Sequence, residues 1–313
     1  MAYKEPLNEA HPLNRPVLSV WVVTYNHEKF IAQALDGILR QKTDFTYEVV
    51  VGEDCSTDGT RAILKRYELA HPDKFVVFYH EKNVGAKRNA YEFTLPACSG
   101  KYIACLEGDD YWTDPNKLQR QVDFLESNPD YGMVAENALV KNLINNTEYQ
   151  FSDQADGDLG LEDLLGKRPF PTASVVFRSA LIDQKLLDFE NLGDTILWCY
   201  LATKGKIRYT NLRSSIYTRS QNGMVASSDR LHWARLMEQW NAQIAKLLTD
   251  STYRSIFDRR NYDEYAKAMQ AAIDNGNYGN ARLAFFKCLK YKPLSAFKKA
   301  VKSVWSNSAQ KKT

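Results

Sequence analysis

Five short apolar runs, at residues 17–23, 47–51, 75–79, 102–106 and 131–135, alternate with four helix-length stretches at about 28–41, 56–70, 86–97 and 116–127. No other feature of the chain narrows its fold as far. Near-continuous apolar runs of this length suit strands buried on both faces, as parallel strands are. Between the first two runs, Phe30, Ile31, Ala34, Leu35, Ile38 and Leu39 recur at helical spacing, giving an amphipathic helix that can cover a sheet. Strands separated by helices imply right-handed crossovers, so we expect an α/β chain with a mostly parallel central sheet flanked by helices. From 142 to 171 the pattern loosens into polar and acidic residues, expected to be loops lining a cleft. Further strands are expected at 174–177, 207–210 and 215–218, with a helix over 195–203, and from about 230 the chain reads as helical to its end.

In open α/β sheets, ligands bind beyond the carboxyl ends of the strands. Those ends carry Thr24, Tyr25 and Asn26 after the first run, Glu53 and Asp54 after the second, and Glu107, Asp109 and Asp110 in "LEGDDYW" after the fourth. Three carboxylates within four residues repel one another, and a hard divalent cation such as Mg²⁺ or Mn²⁺, which prefers oxygen ligands, would relieve them. Such an ion keeps several waters and bridges to phosphates, so one or two protein carboxylates suffice. The plainer alternative is that Asp109 and Asp110 cap the next helix or pair with Lys101 and Arg120. Asp54 could likewise belong to a turn with Ser56, Asp58 and Gly59, although Asp58 is better placed for that task. His27 is either a turn residue or a cleft contact. Trp112 either floors a pocket or packs beneath the following helix.

Other classes are disfavoured by what is missing. No GxGxxG follows the first strand, as a dinucleotide-binding oxidoreductase would require, and the basic Gly-rich turn of a sugar nucleotidyltransferase is absent too. No apolar run reaches the roughly 18 residues of a membrane span, and the first residues lack a signal-peptide core. Five scattered cysteines without a CxxC pair point to a reduced, cytoplasmic protein with neither disulfide framework nor zinc knuckle. The net charge of +3 hides an asymmetry, because nine basic residues lie between Arg282 and Lys312 and no acidic one follows Asp274. The chain before Arg282 is therefore mildly acidic. Within the tail, Leu294, Phe297, Val301, Val304 and Trp305 share one helical face, and Lys298, Lys299 and Lys302 share the other. A basic amphipathic helix suits an anionic membrane surface, and a terminal helix docked on the body has the same pattern.

The stretch "SVWVVTYNHEKFIAQALDGILRQ", the segment "YEVVVGEDCSTDGT" and the run "NVGAKRNAYEFTLPACSGKYIACLEGDDYW" together resemble the nucleotide-sugar-binding half of family 2 glycosyltransferases with the GT-A fold. The resemblance covers about 16–140, with weaker echoes to 228. It implies a Rossmann-like GT-A domain over 1–228, divided into a nucleotide-sugar half (16–140) and an acceptor half (141–228), followed by a helical region at 229–313. It also implies an inverting, metal-dependent transfer of a sugar, from a UDP-sugar by the commonest pattern, to a glycan or lipid-linked glycan in envelope polysaccharide synthesis. No nucleic acid is implied as partner, and the site of action would be the cytoplasm or the cytoplasmic face of the inner membrane. A non-catalytic sugar-binding or scaffolding protein on the same fold is the alternative.

Residue by residue, the resemblance matches Thr24, Tyr25 and Asn26 to the nucleotide-binding turn, with the Tyr25 ring stacked on the base. Asp54 matches the carboxylate that accepts a hydrogen bond from the base. Arg88 would approach the diphosphate or hold the Asp54 side, Asp109 lies near the ribose hydroxyls, and Asp110 is the Mn²⁺ or Mg²⁺ ligand. Glu107 stands where an aspartate is commoner and is placed behind the metal. The run "PFPTASVVFRS" is similar to the acceptor-side strand. In "NLGDTILWCYLATKGKIRYTN", Asp194 occupies the position of the general base, although an aspartate opening a helix could equally be a cap. "IYTRSQNGMVASS" carries Ser220 where a histidine is common.

Overall fold

A computed structural model describes residues 15–166, 168–190, 192–220, 229–248 and 253–292 of the protein. The chain divides into two compact units, one ending at Ser220 and the other beginning at Gln221. The amphipathic stretch at 294–305 and the segment 221–228 lie outside the described residues.

The first unit is built on one sheet. Strands β1 (Leu18–Thr24), β2 (Tyr47–Glu53), β3 (Phe75–Tyr79) and β4 (Tyr102–Glu107) run parallel, in spatial order β3-β2-β1-β4. The sheet continues through β9 (Val176–Arg178), β6 (Tyr131–Asn142), β10 (Lys206–Arg219) and the short β5 (Tyr111–Trp112). β6 and β10 are parallel to each other, whereas β5, β7 (Thr147–Gln150), β8 (Gly157–Leu159) and β9 join antiparallel. The central strands are buried on both faces, with Leu18, Val20, Val22, Val49, Val51 and Ala104 fully inaccessible, as their unbroken apolar character requires.

Helices α1 (Ile31–Leu39), α2 (Thr60–Ala70) and α3 (Lys117–Ser127) cover the sheet, the first through Ile31, Ala34, Leu35 and Ile38. Both α1 and α2 begin later than the spacing predicts, because the turns before them are held by side chains. His27 N donates to Thr60 Oγ1 and Glu28 N to Asp58 Oδ2, while Thr60 N donates to Asp58 Oδ1. The remaining helices of the unit are α4 (Leu161–Leu165), α5 (Gln184–Leu187) and α6 (Asp194–Ala202).

Three sequence expectations need correction. The helix expected over 86–97 is a π-helical segment, Arg88–Thr94, followed by a 3₁₀ turn, Leu95–Ala97. Thr94 Oγ1 donates back toward the Asn89 and Ala90 carbonyls and accepts from Trp21 Nε1, and Pro96 has no N–H with which to continue a regular helix. The two strands expected at 207–210 and 215–218 are one, because register shifts between Thr210 and Ser215 absorb the polar residues that look like a break. The region 142–171 is not all loop, since it contains β7, β8 and α4.

The second unit packs α7 (Arg230–Leu247), α8 (Arg254–Asp274) and α9 (Tyr278–Tyr291) around Leu231, Ala234, Tyr265, Met269, Ala284 and Cys288. A partly buried carboxylate ties its helices together. Glu238 accepts from Tyr265 Oη at 2.6 Å, Lys287 Nζ at 2.8 Å and Lys290 Nζ at 3.2 Å, and from Tyr291. Burial alone would raise this carboxyl, but these donors outweigh it and hold it down at about 2. Among the described residues no helix is long and apolar enough to cross a membrane.

Candidate active site

Parallel register brings the strand ends together. Thr24 stands opposite Glu53, and Val23 opposite Glu107, so the loops after β1, β2 and β4 open on one edge of the sheet. The first two are laced to each other. Asn26, in the left-handed region at φ 56°, donates its N–H to Ser56 Oγ and accepts at Oδ1 from Thr57 N and Thr57 Oγ1. Asn26 therefore shapes the turn, and Tyr25 beside it is left 41% exposed. Thr24 is buried, with Oγ1 3.2 Å from His27 Nδ1. Gly108 has to be glycine, because a Cβ there would fall 2.5 Å from Thr24 Oγ1.

Asp54 is almost fully buried and accepts from Val84 N at 2.6 Å and Gly85 N at 3.0 Å. It pins the "NVGAKRN" loop, whose Gly85 adopts φ 88°. Arg88 does not hold the Asp54 side. Its Nε donates to Glu92 at 2.7 Å and its guanidinium sits over the Phe93 ring.

The carboxylates after β4 form a tight turn, Asp110 N donating to Glu107 O at 3.0 Å. Asp109 is partly exposed and lies 3.9 Å from His27 Nε2. Asp110 is 1% exposed; its Oδ1 accepts from Thr218 N on β10 at 2.8 Å, and its Oδ2 is buried without a hydrogen-bond partner. Burial, then Asp109 and Asp194, push the Glu107 carboxyl up to about 8. Burial, Asp109 and Glu107 drive Asp110 well above the usual carboxylate range. Pairing with Lys101 or Arg120 does not occur, since Lys101 bonds Glu126 and Arg120 bonds Asp114 and Glu136. Trp112 is 1% exposed, with Nε1 donating to Ala173 O at 2.7 Å, so its ring packs in the core.

Among the described residues no group of three or more His, Cys, Asp or Glu side chains is arranged to hold a metal ion. The residues nevertheless fit a hard cation of the kind that takes one or two carboxylates and completes its shell with phosphate and water. Asp110 Oδ2 is buried without a donor, and the charges acting on Asp110 are the Glu107 and Asp109 carboxylates, so the cluster lacks the positive charge that a cation would supply.

Across the cleft, Asp194 is the first residue of α6, with Gly193 as the cap. Asp194 Oδ2 accepts from Arg168 Nη1 at 2.6 Å and Thr172 Oγ1 at 3.2 Å, and Oδ1 from Thr195 N at 2.6 Å. Burial raises this carboxyl, but the Arg168 guanidinium, the Thr195 amide and Thr172 together outweigh it and hold the carboxyl below the usual range. The charges of Asp194 and Arg168 both reach Glu107, so the two halves of the unit meet here. Tyr217 is raised by burial and then by Glu107, Asp110 and Asp109, which places its ring beside the same cluster.

Arg168, Tyr217 and Thr218 were not legible as site residues. The only hint was position: Arg168 sits just before "PFPTAS", and Tyr217 and Thr218 sit in the segment whose Ser220 replaces a common histidine. Ser220 is the last described residue before 221–228.

Comparison with known proteins supports the same frame. The family model described as glycosyl transferase family 2 matches residues 19–181, about half of the chain. The uncharacterized protein Rv1520 of Mycobacterium tuberculosis is 35% identical over 162 residues, 51% of this chain and 46% of that protein. The putative teichuronic acid biosynthesis glycosyltransferase TuaG of Bacillus subtilis is 36% identical over 111 residues, 36% of this chain and 42% of its own. The chain thus spans less than half the length of these relatives. S. aureus TarS 1-349 in complex with UDP-GlcNAc superposes with a TM-score of 0.58 at 17% identity, covering 85% of this chain and 90% of that one. The mannosyltransferase PcManGT from Pyrobaculum calidifontis, in complex with GDP-Man and Mn2+, gives 0.55 at 22% identity, covering 94% and 89%. At such identities these structures establish the fold, a GT-A arrangement of a mixed sheet flanked by helices.

Proposed function

The chain belongs to glycosyl transferase family 2, and from that premise we propose that it transfers a sugar from a nucleoside diphosphate donor to an acceptor hydroxyl by single displacement with inversion. One observation carries the reading: an acidic cluster with an unpartnered Asp110 oxygen lies within charge range of an arginine-held Asp194. The acceptor oxygen attacks the anomeric carbon, the bond from that carbon to the diphosphate oxygen breaks, and Asp194 takes the acceptor proton. Arg168 and Thr172 hold Asp194 ionised and oriented for that task. Asp110 would hold a Mn²⁺ or Mg²⁺ ion, whose charge would neutralise the departing diphosphate. Asp109 is assigned to the ribose hydroxyls, and Glu107 stays behind the metal-binding Asp110. Exposed Tyr25 stacks on the base, Asp54 with the loop it pins borders the base, and Thr24 and Asn26 shape the turn beneath it. Arg88, paired with Glu92 on the exposed side of its segment, is assigned to the diphosphate.

We take the donor to be a UDP-sugar, the nucleotide found in the TarS complex. We take the acceptor to be a glycan or lipid-linked glycan of envelope polysaccharide, the class to which TuaG's name points. A lipid-linked acceptor fits a peripheral position on an anionic membrane, with the basic tail as one contact. Calorimetric titration of UDP and GDP with and without Mn²⁺, followed by release of nucleoside diphosphate from a panel of nucleotide sugars, tests the reading. Metal-dependent binding and turnover of one donor are expected. Binding of neither nucleotide would reject it.

A further inference from the structure

The geometry points to a docking surface for anionic lipid headgroups on the outer face of α9, in the described part of the second unit. Ala281, Ala284 and Cys288 turn that helix inward. On the opposite side Leu283 and Phe286 stand 50% and 55% exposed, and Tyr278 at the first turn is 65% exposed, so three large apolar side chains meet solvent within three turns. The Arg282 guanidinium lies 5.7 Å from the centre of the Phe286 ring, and Lys290 follows one turn later.

Charge selects the occupant. No acidic residue occurs from 275 to the end of the chain, against nine basic ones. The carboxylate packed against α9 is Glu238, and it is already held by Lys287, Lys290, Tyr265 and Tyr291. A second copy would bring the same basic face against itself. The chain's own tail, residues 293–313, carries five lysines and no acid, so its sequence offers no charge complement to this face. An anionic bilayer answers both features at once, because aromatic and aliphatic side chains enter the headgroup boundary while arginine and lysine stems reach the phosphates. This surface extends the membrane reading above and rests on it, but not on the catalytic one.

The test is co-sedimentation of the full chain with phosphatidylcholine vesicles and with vesicles containing phosphatidylglycerol, at low salt. Wild type should bind only the anionic vesicles. Leu283→Ser with Phe286→Ser should lower that partition at least about tenfold, the effect of removing two inserted side chains. Arg282→Ser should lower it about fivefold, the effect of one basic residue near the surface. Each serine variant is also measured singly, and circular dichroism checks the fold. A full-length variant with Lys298, Lys299 and Lys302 changed to Ser should bind more weakly yet still depend on Phe286. Unchanged partition of Leu283→Ser/Phe286→Ser overturns the α9 surface while leaving a tail-borne membrane contact standing. Failure of wild type to bind any vesicle overturns both. Concentration-dependent dimerisation abolished by Phe286→Ser assigns the face to a second copy and also overturns the proposal.

Discussion

Asp110 and Asp194 are the same residue type in one cleft, and their surroundings treat them oppositely. Asp110 is buried among Glu107 and Asp109 with one oxygen unpartnered, so its charged form is disfavoured. The Asp194 side chain is 35% exposed, and Arg168 and Thr172 bond one of its oxygens and the Thr195 amide the other, so its charged form is favoured. The difference shows how two aspartates acquire separate tasks. A carboxylate short of positive charge is prepared for a cation, and one already balanced stays ionised to receive a proton.

The largest effect should come from removing the first of the pair. Asp110→Ala is expected to reduce metal-dependent turnover to the level of the chelator-treated protein. The melting temperature should hold or rise, since the change deletes repulsion along with the ligand. Full activity in that variant with chelator present would break the comparison at its acidic side.

Asp194→Asn keeps size and hydrogen bonding but removes basicity. Turnover should fall by about two to four orders of magnitude, with nucleotide affinity nearly unchanged, as expected for loss of a general base. A product whose anomeric configuration is retained by NMR would require a different chemistry.

Arg168→Leu sharpens the contrast by making Asp194 resemble Asp110. Without the guanidinium, burial is left to raise the Asp194 carboxyl, so protonation should begin at higher pH. The acidic limb of the kcat/KM profile should therefore move toward neutral, and activity at pH 6 should fall more than at pH 8. An unshifted limb would mean that Arg168 does not act through Asp194.

Glu238, outside the cleft, supplies a structural control. Its carboxyl is held at about 2, below the unfolded value, so its contribution to stability is present above about pH 4.5 and disappears as pH falls through 2. Glu238→Gln should lower stability by about 3 kcal/mol at neutral pH by the pKa difference. Chemical denaturation should show the gap between variant and wild type closing below pH 4. Sugar-transfer chemistry should be untouched.

The parts that could be read directly are those encoded by neighbours in the chain. Apolar runs and helical spacing placed β1 to β4, the start of β6, and α1 to α3, because those periodicities report burial residue by residue. The acidic ends of β2 and β4 were visible for the same reason. The π-helical turn at Arg88–Thr94 was not, since it depends on Thr94 meeting Trp21, 73 positions earlier. The bulged β10 was not, since a ladder to β6 is needed to carry its polar middle.

Within the cleft, the sequence by itself determined which acids stand at strand ends and which aspartate opens α6. The tertiary structure decided their partners: Asp54 with the amides of residues 84 and 85, Asp194 with Arg168, and Asp110 with the Thr218 amide, 108 positions away. Strand register and loop closure set these distances, and whether a carboxylate is stabilised or stranded depends on charges and N–H groups within a few ångströms, wherever in the chain they originate.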